Sequence, residues 1–192
     1  MLTVIIVKKY LNIKISDSAL IYIAAMVVCV DLELIVPLFL AVIIHEIGHI
    51  LAIKMLGGEI YCLTICAGGV KITYNSTAFT YFKEVVCALA GPMFGVMSAL
   101  VASYFGFSIF SGVSLCINVF NLLPIRPLDG GNVLRNIFVI ISNNYAATYI
   151  NIIEIVMLLL LFCVSVYVLI TYQKFSLLLI TGVLTFCYCK ER

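Results

Sequence analysis

Two histidines and a glutamate stand close together in an otherwise apolar stretch of the chain. His45 and His49 are four residues apart and Glu46 follows the first of them, within residues 38–53. On a helix, side chains four residues apart project from one face, so both imidazoles can reach a single zinc ion. Glu46 is turned about 100° from His45 around the helix and can serve as a general base without binding the metal. The spacing therefore predicts a zinc site of the metallopeptidase type.

The helix that carries these residues is long enough to cross a bilayer. If residues 34–56 form one helix, its length is about 34 Å at 1.5 Å per residue, close to the thickness of the hydrocarbon core. The histidines and the glutamate then lie near its middle, where ionisable side chains are costly and by default functional. The chemistry is therefore expected inside a membrane.

The composition is that of a membrane protein. Hydrophobic residues make up 65% of the chain, charged residues 10%, and the mean hydropathy is +1.24, whereas a soluble domain carries about 25% charged residues. A net charge of +2 gives no reason to expect nucleic acid as a partner. The 192 residues suit one folded domain, 1–192, and residues 1–14 are interpreted as the flank of a retained signal anchor.

The apolar segments predict an all-α polytopic membrane protein with about six transmembrane helices and a small β-hairpin between the second and the third. If the N-terminus is cytosolic and the spans alternate, all of the 11 Lys and Arg residues except Lys174 lie on the cytosolic side. The positive-inside rule therefore predicts that both termini are cytosolic, and a bacterial cytoplasmic membrane is the expected location. The predicted spans lie near residues 15–30, 34–56, 85–107, 109–123, 150–172 and 175–188.

The predicted hairpin occupies residues 57–74. Glycine pairs at 57–58 and 68–69 flank β-branched residues, and residues 70–74 alternate between apolar and more polar side chains. This pattern is typical of two strands with a turn near the second glycine pair. Two interpretations stay open: a surface hairpin without a role, or an exposed strand edge that binds an extended substrate.

A second motif interrupts the fourth span. Residues 118–131 read Asn-Val-Phe-Asn-Leu-Leu-Pro-Ile-Arg-Pro-Leu-Asp-Gly-Gly, and the prolines and the glycine pair break a helix. Irregular backbone at membrane depth is tolerated where it is buried in protein or lines a polar cavity. Asp129 is interpreted as a third zinc ligand, with a cap for a helix beginning near residue 132 as the alternative. Asn121 is a candidate oxyanion donor or substrate clamp.

Other polar and small residues receive structural interpretations. Residues 90–92, Ala-Gly-Pro, and Gly95 predict a kinked third span with close helix contacts. Glu154 is interpreted as an interfacial rather than a catalytic residue. The eight cysteines predict buried side chains rather than a disulfide framework. The cysteine pairs whose pairing or metal binding stays open are Cys62 with Cys66 and Cys187 with Cys189.

The two motifs resemble those of the site-2 protease family of intramembrane zinc metalloproteases, and most closely the branch that contains stage IV sporulation protein FB. The matching stretches are residues 45–49, 90–92 and 121–131. The layout of six spans extends the resemblance over nearly the whole chain.

The resemblance implies roles for particular residues and a class of reaction. His45, His49 and Asp129 would bind Zn²⁺, Glu46 would be catalytic, and Asn121 would lie near the substrate. The family cleaves transmembrane or membrane-associated proteins within or near the bilayer, often to release a regulator such as a transcription factor. The implied partners are such a substrate protein, the lipid bilayer and a regulatory membrane protein that controls access.

Two features depart from the resemblance. Many relatives carry a PDZ domain between spans, and the sporulation branch carries a CBS domain after the last span; the 192 residues are expected to contain neither. Asn132 follows the glycine pair at a position where the family often has a basic residue, and Arg135 is its expected substitute one turn later.

Rival functions fit the residues less well. Residues 112–114, Gly-Val-Ser, resemble a serine nucleophile motif, but both histidines are held in one helical turn. An aspartyl protease needs two membrane aspartates, and Asp129 alone qualifies. A metal transporter would spread ionisable residues along a path. The alternative that stays open is a catalytically inactive zinc-binding membrane scaffold or chaperone, against which the intact Glu46 argues.

Overall fold

The computed structural model describes residues 4–8, 11–16, 31–66, 69–75, 79–141, 146–173 and 175–191. The predicted span near 15–30 lies outside these ranges except for its first two residues, and so do Lys174 and the predicted turn residue Gly68. Within the described ranges the chain forms four strands and six helices. They are β1 (Val4–Lys8), β2 (Leu11–Ile15), α1 (Leu32–Met55), β3 (Ile60–Cys66), β4 (Gly69–Tyr74), α2 (Tyr81–Tyr104), α3 (Ser108–Asn121), α4 (Asp129–Ile141), α5 (Ala146–Tyr172) and α6 (Ser176–Glu191).

Three of the described helices are long and apolar enough to cross a bilayer. They are α1, α2 and residues Ala147–Tyr172 of α5, and they coincide with the predicted spans 34–56, 85–107 and 150–172 apart from a few residues at their ends. Helix α3 and residues Leu177–Cys189 of α6 are shorter apolar helices. The helices therefore identify a membrane protein with three candidate spans among the described residues, and the full set of six stays a prediction.

Helix α1 begins and ends where its local sequence favours a boundary. Asp31 precedes the helix and Glu33 lies in its first turn, while Lys54 lies in its last turn. Each of these charges is opposite in sign to the nearby end of the helix dipole and stabilises it. Beyond the helix, Gly57 adopts a φ of +85° and its N–H donates to the Lys54 carbonyl at 3.1 Å, the conformation in which helices commonly end at glycine.

Helices α1, α2 and α3 pack closely against one another. A Cβ added to Gly48 would lie 2.7 Å from the Ala90 carbonyl oxygen and 2.8 Å from the Cβ of Phe94. The absence of a side chain at residue 48 therefore sets how closely α1 approaches α2. Ala41 and Ala99, which are small residues on the same two helices, are also buried. This packing fixes the side chains that project from α1 into the bundle.

The sheet is larger than the sequence predicts. The predicted hairpin is confirmed as β3 and β4, which pair antiparallel. Residues 4–8 and 11–15 form two further strands: β1 pairs antiparallel with β2, and β2 pairs parallel with β3, so the sheet has the order β1-β2-β3-β4. The expected all-α chain with one hairpin is thus corrected to a mainly helical chain with a four-stranded sheet, while the signal anchor stays a prediction.

The helix break predicted in the second motif is confirmed. Helix α3 ends at Asn121 and α4 begins at Asp129, and we call residues 122–128 the broken segment. The residue before Pro124 is disfavoured in a helix. A Cβ added to Gly130 would overlap the Leu122 carbonyl group, so the first turn of α4 can lie against the broken segment because residue 130 is glycine.

A buried ion pair ties the broken segment to α5. Arg126 donates from Nε to Glu154 Oε1 at 2.8 Å and from Nη2 to Oε2 at 2.8 Å, and Nη2 also donates to Asn151 Oδ1 at 3.0 Å. Glu154 is 0% exposed and so lies inside the bundle, while its position near the membrane interface stays a prediction. The carboxylate is turned into the bundle because it neutralises a guanidinium that is itself largely buried. The broken segment also joins an apolar cluster of Ile125, Leu128, Leu158, Leu184 and Tyr188.

Candidate metal centre

Helix α1 brings both predicted histidines to the inside of the bundle. The Nε2 atoms of His45 and His49 lie 3.0 Å apart. Asp129 Oδ2 lies 3.1 Å from Nε2 of His45 and 3.2 Å from Nε2 of His49. Helix α4 begins at Asp129 itself, so this residue does not cap a helix that begins near residue 132. Its carboxylate instead faces the two imidazoles.

The three ligand atoms form a triangle that fits a zinc ion. In a tetrahedral site with bonds of about 2.0–2.1 Å, neighbouring ligand atoms are about 3.3 Å apart, slightly more than the three separations found between His45, His49 and Asp129. Asp129 Oδ2 is buried, and among the described residues its close neighbours are the Nε2 atoms of the two histidines. Three atoms that present lone pairs to one another at this distance are stabilised by a shared cation.

The cysteine pairs do not contribute to this centre. Across the described parts of the chain, three side chains of the His, Cys, Asp and Glu types place their ligand atoms close enough to share a metal. They are His45, His49 and Asp129. Two imidazoles and one carboxylate are the protein ligands of a catalytic rather than a structural zinc site, since they leave the fourth tetrahedral position open.

Each imidazole is also held through its other nitrogen. His45 Nδ1 lies 2.7 Å from Asn118 Oδ1, and His49 Nδ1 lies 2.8 Å from the Cys87 carbonyl oxygen. Histidines that bind metals commonly donate their second N–H to such an oxygen, which fixes the orientation of the ring. Neither contact was predicted. Asn118 is a polar residue one helical turn before Asn121, a position that a search for buried amides near the motif would have selected, whereas a backbone carbonyl leaves no signal in the sequence.

Two glycines of α2 make room for the centre. A Cβ added to Gly91 would overlap the His49 ring, and one added to Gly95 would overlap the Asn118 amide. The two glycines are four residues apart and so lie on the same face of α2. The close helix contact predicted here is confirmed, and α2 continues through Pro92. The glycines permit the imidazole and the amide to lie directly against the backbone of α2.

Glu46 lies beside the three ligands and in contact with the sheet. Its carboxylate lies near the backbone N–H of Val70 in β4. Its Oε2 atom is buried and has no hydrogen-bond partner among the described residues. A buried carboxylate oxygen without a donor is costly, and a water molecule is the natural donor for it. The predicted base thus has an oxygen free to accept a proton next to the centre.

Asn121, the last residue of α3, also reaches the centre. Its Nδ2 lies 3.3 Å from His45 Nε2. An amide nitrogen donates hydrogen bonds and adds no charge to a largely dry site. An uncharged donor therefore stands at the edge of the three ligand atoms, as predicted.

Proteins with similar sequences bear the names of metalloproteases. Residues 106–164 match the profile of peptidase family M50; this stretch contains Asn121 and Asp129 but neither histidine. The resemblance to the site-2 proteases is confirmed. A protein of Methanocaldococcus jannaschii named as a zinc metalloprotease is 31% identical over 117 residues, which cover 54% of this chain and 34% of the relative. A protein of Synechocystis sp. named as a putative zinc metalloprotease is 30% identical over 119 residues, which cover 56% and 31%.

The fold agrees with that of a solved site-2 protease. The site-2 protease from Methanocaldococcus jannaschii matches with a TM-score of 0.71 over 99% of this chain and 95% of that chain, at 20% sequence identity. The chain spans about a third of the length of the curated relatives it matches. Zinc is the cofactor indicated both by the two imidazoles and the carboxylate and by the names of these relatives.

Proposed function

We propose that the protein is an intramembrane zinc metalloprotease that hydrolyses a peptide bond of a transmembrane or membrane-associated protein. One observation carries the proposal: Nε2 of His45, Nε2 of His49 and Oδ2 of Asp129 lie within 3.2 Å of one another on helices of a membrane protein. Ionisable side chains that converge at one point in an apolar bundle are costly unless they serve a function.

Glu46 acts as the general base in this proposal. His45, His49 and Asp129 would hold a zinc ion, which would supply a Lewis acid for a peptide carbonyl and lower the pKa of a nearby water. Glu46 accepts a proton from the attacking water through its free Oε2 and delivers it to the leaving amine nitrogen. The intact base argues against the alternative of an inactive zinc-binding scaffold or chaperone.

Asn121 and β4 would hold the substrate. The Asn121 amide lies 3.3 Å from a ligand nitrogen and donates a hydrogen bond to the carbonyl oxygen on which negative charge develops. Strand β4 lies at one end of the sheet and reaches the centre through Val70. Its outer edge is suited to pair with a substrate segment in extended conformation, which favours the substrate-binding interpretation of the hairpin over a surface hairpin without a role.

The partners and the orientation belong to the same proposal. The chain crosses a bacterial cytoplasmic membrane several times with both termini in the cytosol. The cleaved fragment is a regulator, and with this orientation it is released to the cytosol. A regulatory membrane protein controls access to the centre, and the branch is that of stage IV sporulation protein FB. Fusions of green fluorescent protein after residue 192 and of alkaline phosphatase after residue 174 test the orientation: both are expected to be active, and a dark fluorescent protein together with an inactive phosphatase would contradict it.

Glu46→Gln tests the activity most sharply, because Gln keeps the size of the side chain and removes the base. The full chain is expressed as wild type, as Glu46→Gln and as Glu33→Gln, a control that makes the same change at an exposed glutamate of the same helix. Zinc content of the purified proteins is measured, and new protein N-termini in the host membranes are counted by mass spectrometry. We expect zinc in all three, and new N-termini with wild type and Glu33→Gln only.

The two readouts separate the alternatives. Zinc in wild type with the same N-termini in Glu46→Gln and wild type would contradict the role of Glu46 and favour a scaffold. Absence of zinc from the wild type would overturn the proposal altogether.

A further inference from the structure

We infer that Asn118 is a positioning residue, which holds His45 in the ring orientation and tautomer that a metal ligand requires. The inference rests on the proposed zinc centre and adds a residue to it. Asn118 lies on α3, is 0% exposed, and places Oδ1 2.7 Å from His45 Nδ1. It does not belong to the group of three ligand residues.

The orientation of the Asn118 amide follows from its contacts. Its Nδ2 lies 2.7 Å from the Ser114 carbonyl oxygen, which can only accept a hydrogen bond, so this end of the side chain must be the NH₂ group. The other end, which faces His45, is therefore the carbonyl oxygen. Because that oxygen also only accepts, the proton of the neutral His45 ring must be on Nδ1. The lone pair on Nε2 is then directed at His49 and Asp129.

The surroundings of Asn118 leave this arrangement few alternatives. The Oγ atom of Ser114 is 0% exposed, lies 3.4 Å from the Asn118 amide nitrogen and donates to the Gly95 carbonyl at 2.9 Å. Gly95 itself makes room for the amide, since a Cβ there would overlap it. A flipped amide would set its oxygen against the Ser114 carbonyl oxygen, and two acceptors facing each other in a fully buried site are costly.

The two histidines differ in how they are oriented. The backbone carbonyl of Cys87 holds His49, so α2 supports that ring whatever the side chain at residue 87. His45 depends on the side chain of Asn118. A single substitution can therefore release one ligand ring and leave the other in place, and this asymmetry makes the role of Asn118 testable.

The experiment measures zinc affinity of the purified full chain in detergent, by competition with a chelator. Asn118→Leu has a similar volume and no acceptor, and we expect its zinc affinity to fall about 10- to 100-fold, the usual effect of losing such a partner. Asn118→Ala carries the same expectation and leaves space rather than a clash, in case the leucine variant does not fold. Ser165→Ala is the control: Ser165 is equally buried and donates to the Phe162 carbonyl of its own helix, so wild-type affinity is expected.

A second readout reports on the ring rather than on the metal. The chain contains two histidines, so a protein labelled with ¹⁵N-histidine and purified through a histidine-free tag gives imidazole signals from two residues only. We expect two Nδ1–H signals protected from solvent exchange in the wild type. In Asn118→Leu the His45 signal should shift and exchange, while the His49 signal keeps its position. A purely structural loss would alter both.

The outcomes distinguish this inference from the proposed function. Wild-type zinc affinity and two unchanged Nδ1–H signals in folded Asn118→Leu and Asn118→Ala would overturn the role of Asn118 and leave the zinc centre intact. A wild type without zinc would overturn the proposed function, and the inference with it.

Discussion

Helix α1 and the broken segment deliver ligands to the same centre in opposite ways. On α1 an unbroken helix aligns His45 and His49 through their spacing of four residues, and the ring nitrogens come within 3.0 Å. Asp129 is instead the first residue of α4 and directly follows the broken segment. Its position depends on the buried pair of Arg126 and Glu154 and on a glycine at residue 130 that tolerates a neighbouring carbonyl. The repeat of helix α1 is enough to bring His45 and His49 together. Asp129 is positioned by contacts between residues that are far apart in the sequence.

This difference explains what could be predicted from the sequence. The histidines, the base and their span follow from helical spacing and apolar length, and α1 is found at Leu32–Met55 against a predicted 34–56. Asp129 was recognised from composition and context, but the contacts that hold it were not. The pairing of Glu154 with Arg126 does not follow from the local sequence, because the two residues are 28 positions apart and lie on different elements. A local reading of the chain does not detect such a pair.

The missed features share the same cause. Strand β2 pairs with β3, which follows it in the sequence only after α1, with Asn12 opposite Cys62. Residues 4–8 and 11–15 therefore look like an N-terminal flank until the sheet is known. Their alternation of apolar and polar side chains at residues 11–15 is a strand signal. Asn118 likewise resembles any polar residue of an apolar helix until the His45 ring is placed beside it.

Removal of a ligand should have the largest effect on zinc binding. The effect should be the same whether the ligand comes from α1 or from the chain after the broken segment. His49→Ala and Asp129→Ala are each expected to lose stoichiometric zinc and all proteolysis, because two protein ligands hold zinc far less tightly than three. Zinc per chain, measured by mass spectrometry of the purified protein, checks this. Asp31→Ala, at an exposed aspartate that makes no side-chain cap, should keep its zinc. One zinc per chain in Asp129→Ala would remove the broken segment from the centre.

The second largest effect should come from the ion pair of Arg126 and Glu154, which acts on the zinc centre through the broken segment. Glu154→Leu removes the buried carboxylate that pairs with the Arg126 guanidinium, and we expect a loss of about 3–5 kcal/mol in the free energy of unfolding together with weaker zinc binding. The double variant Arg126→Met/Glu154→Leu should lose less, since it removes both charges of the pair. Thermal unfolding in detergent and chelator competition measure the two effects. Equal or larger losses in the double variant would contradict a buried pair.

The smallest effects should come from two glycines in different surroundings. Gly130→Ala sets a methyl group against the Leu122 carbonyl, and we expect overpacking to cost about 1–3 kcal/mol and to weaken zinc binding by displacing Asp129. Gly112→Ala, at an α3 position with nothing within 4 Å of the added atom, should be neutral or stabilising by up to about 1 kcal/mol. Thermal midpoints compare the two variants. Equal midpoints would show that the broken segment is no more constrained than an open helix face.

Zinc K-edge X-ray absorption of the purified full chain tests the central claim most directly, because it reports which atoms surround the metal. We predict one zinc per chain with two imidazole nitrogens and carboxylate or water oxygens at about 2.0–2.1 Å, and no stoichiometric zinc signal from His49→Ala. The chain has eight cysteines, so ligation by sulfur at about 2.3 Å is a real competitor. A spectrum dominated by sulfur, or a chain that holds no zinc, would contradict the centre formed by His45, His49 and Asp129.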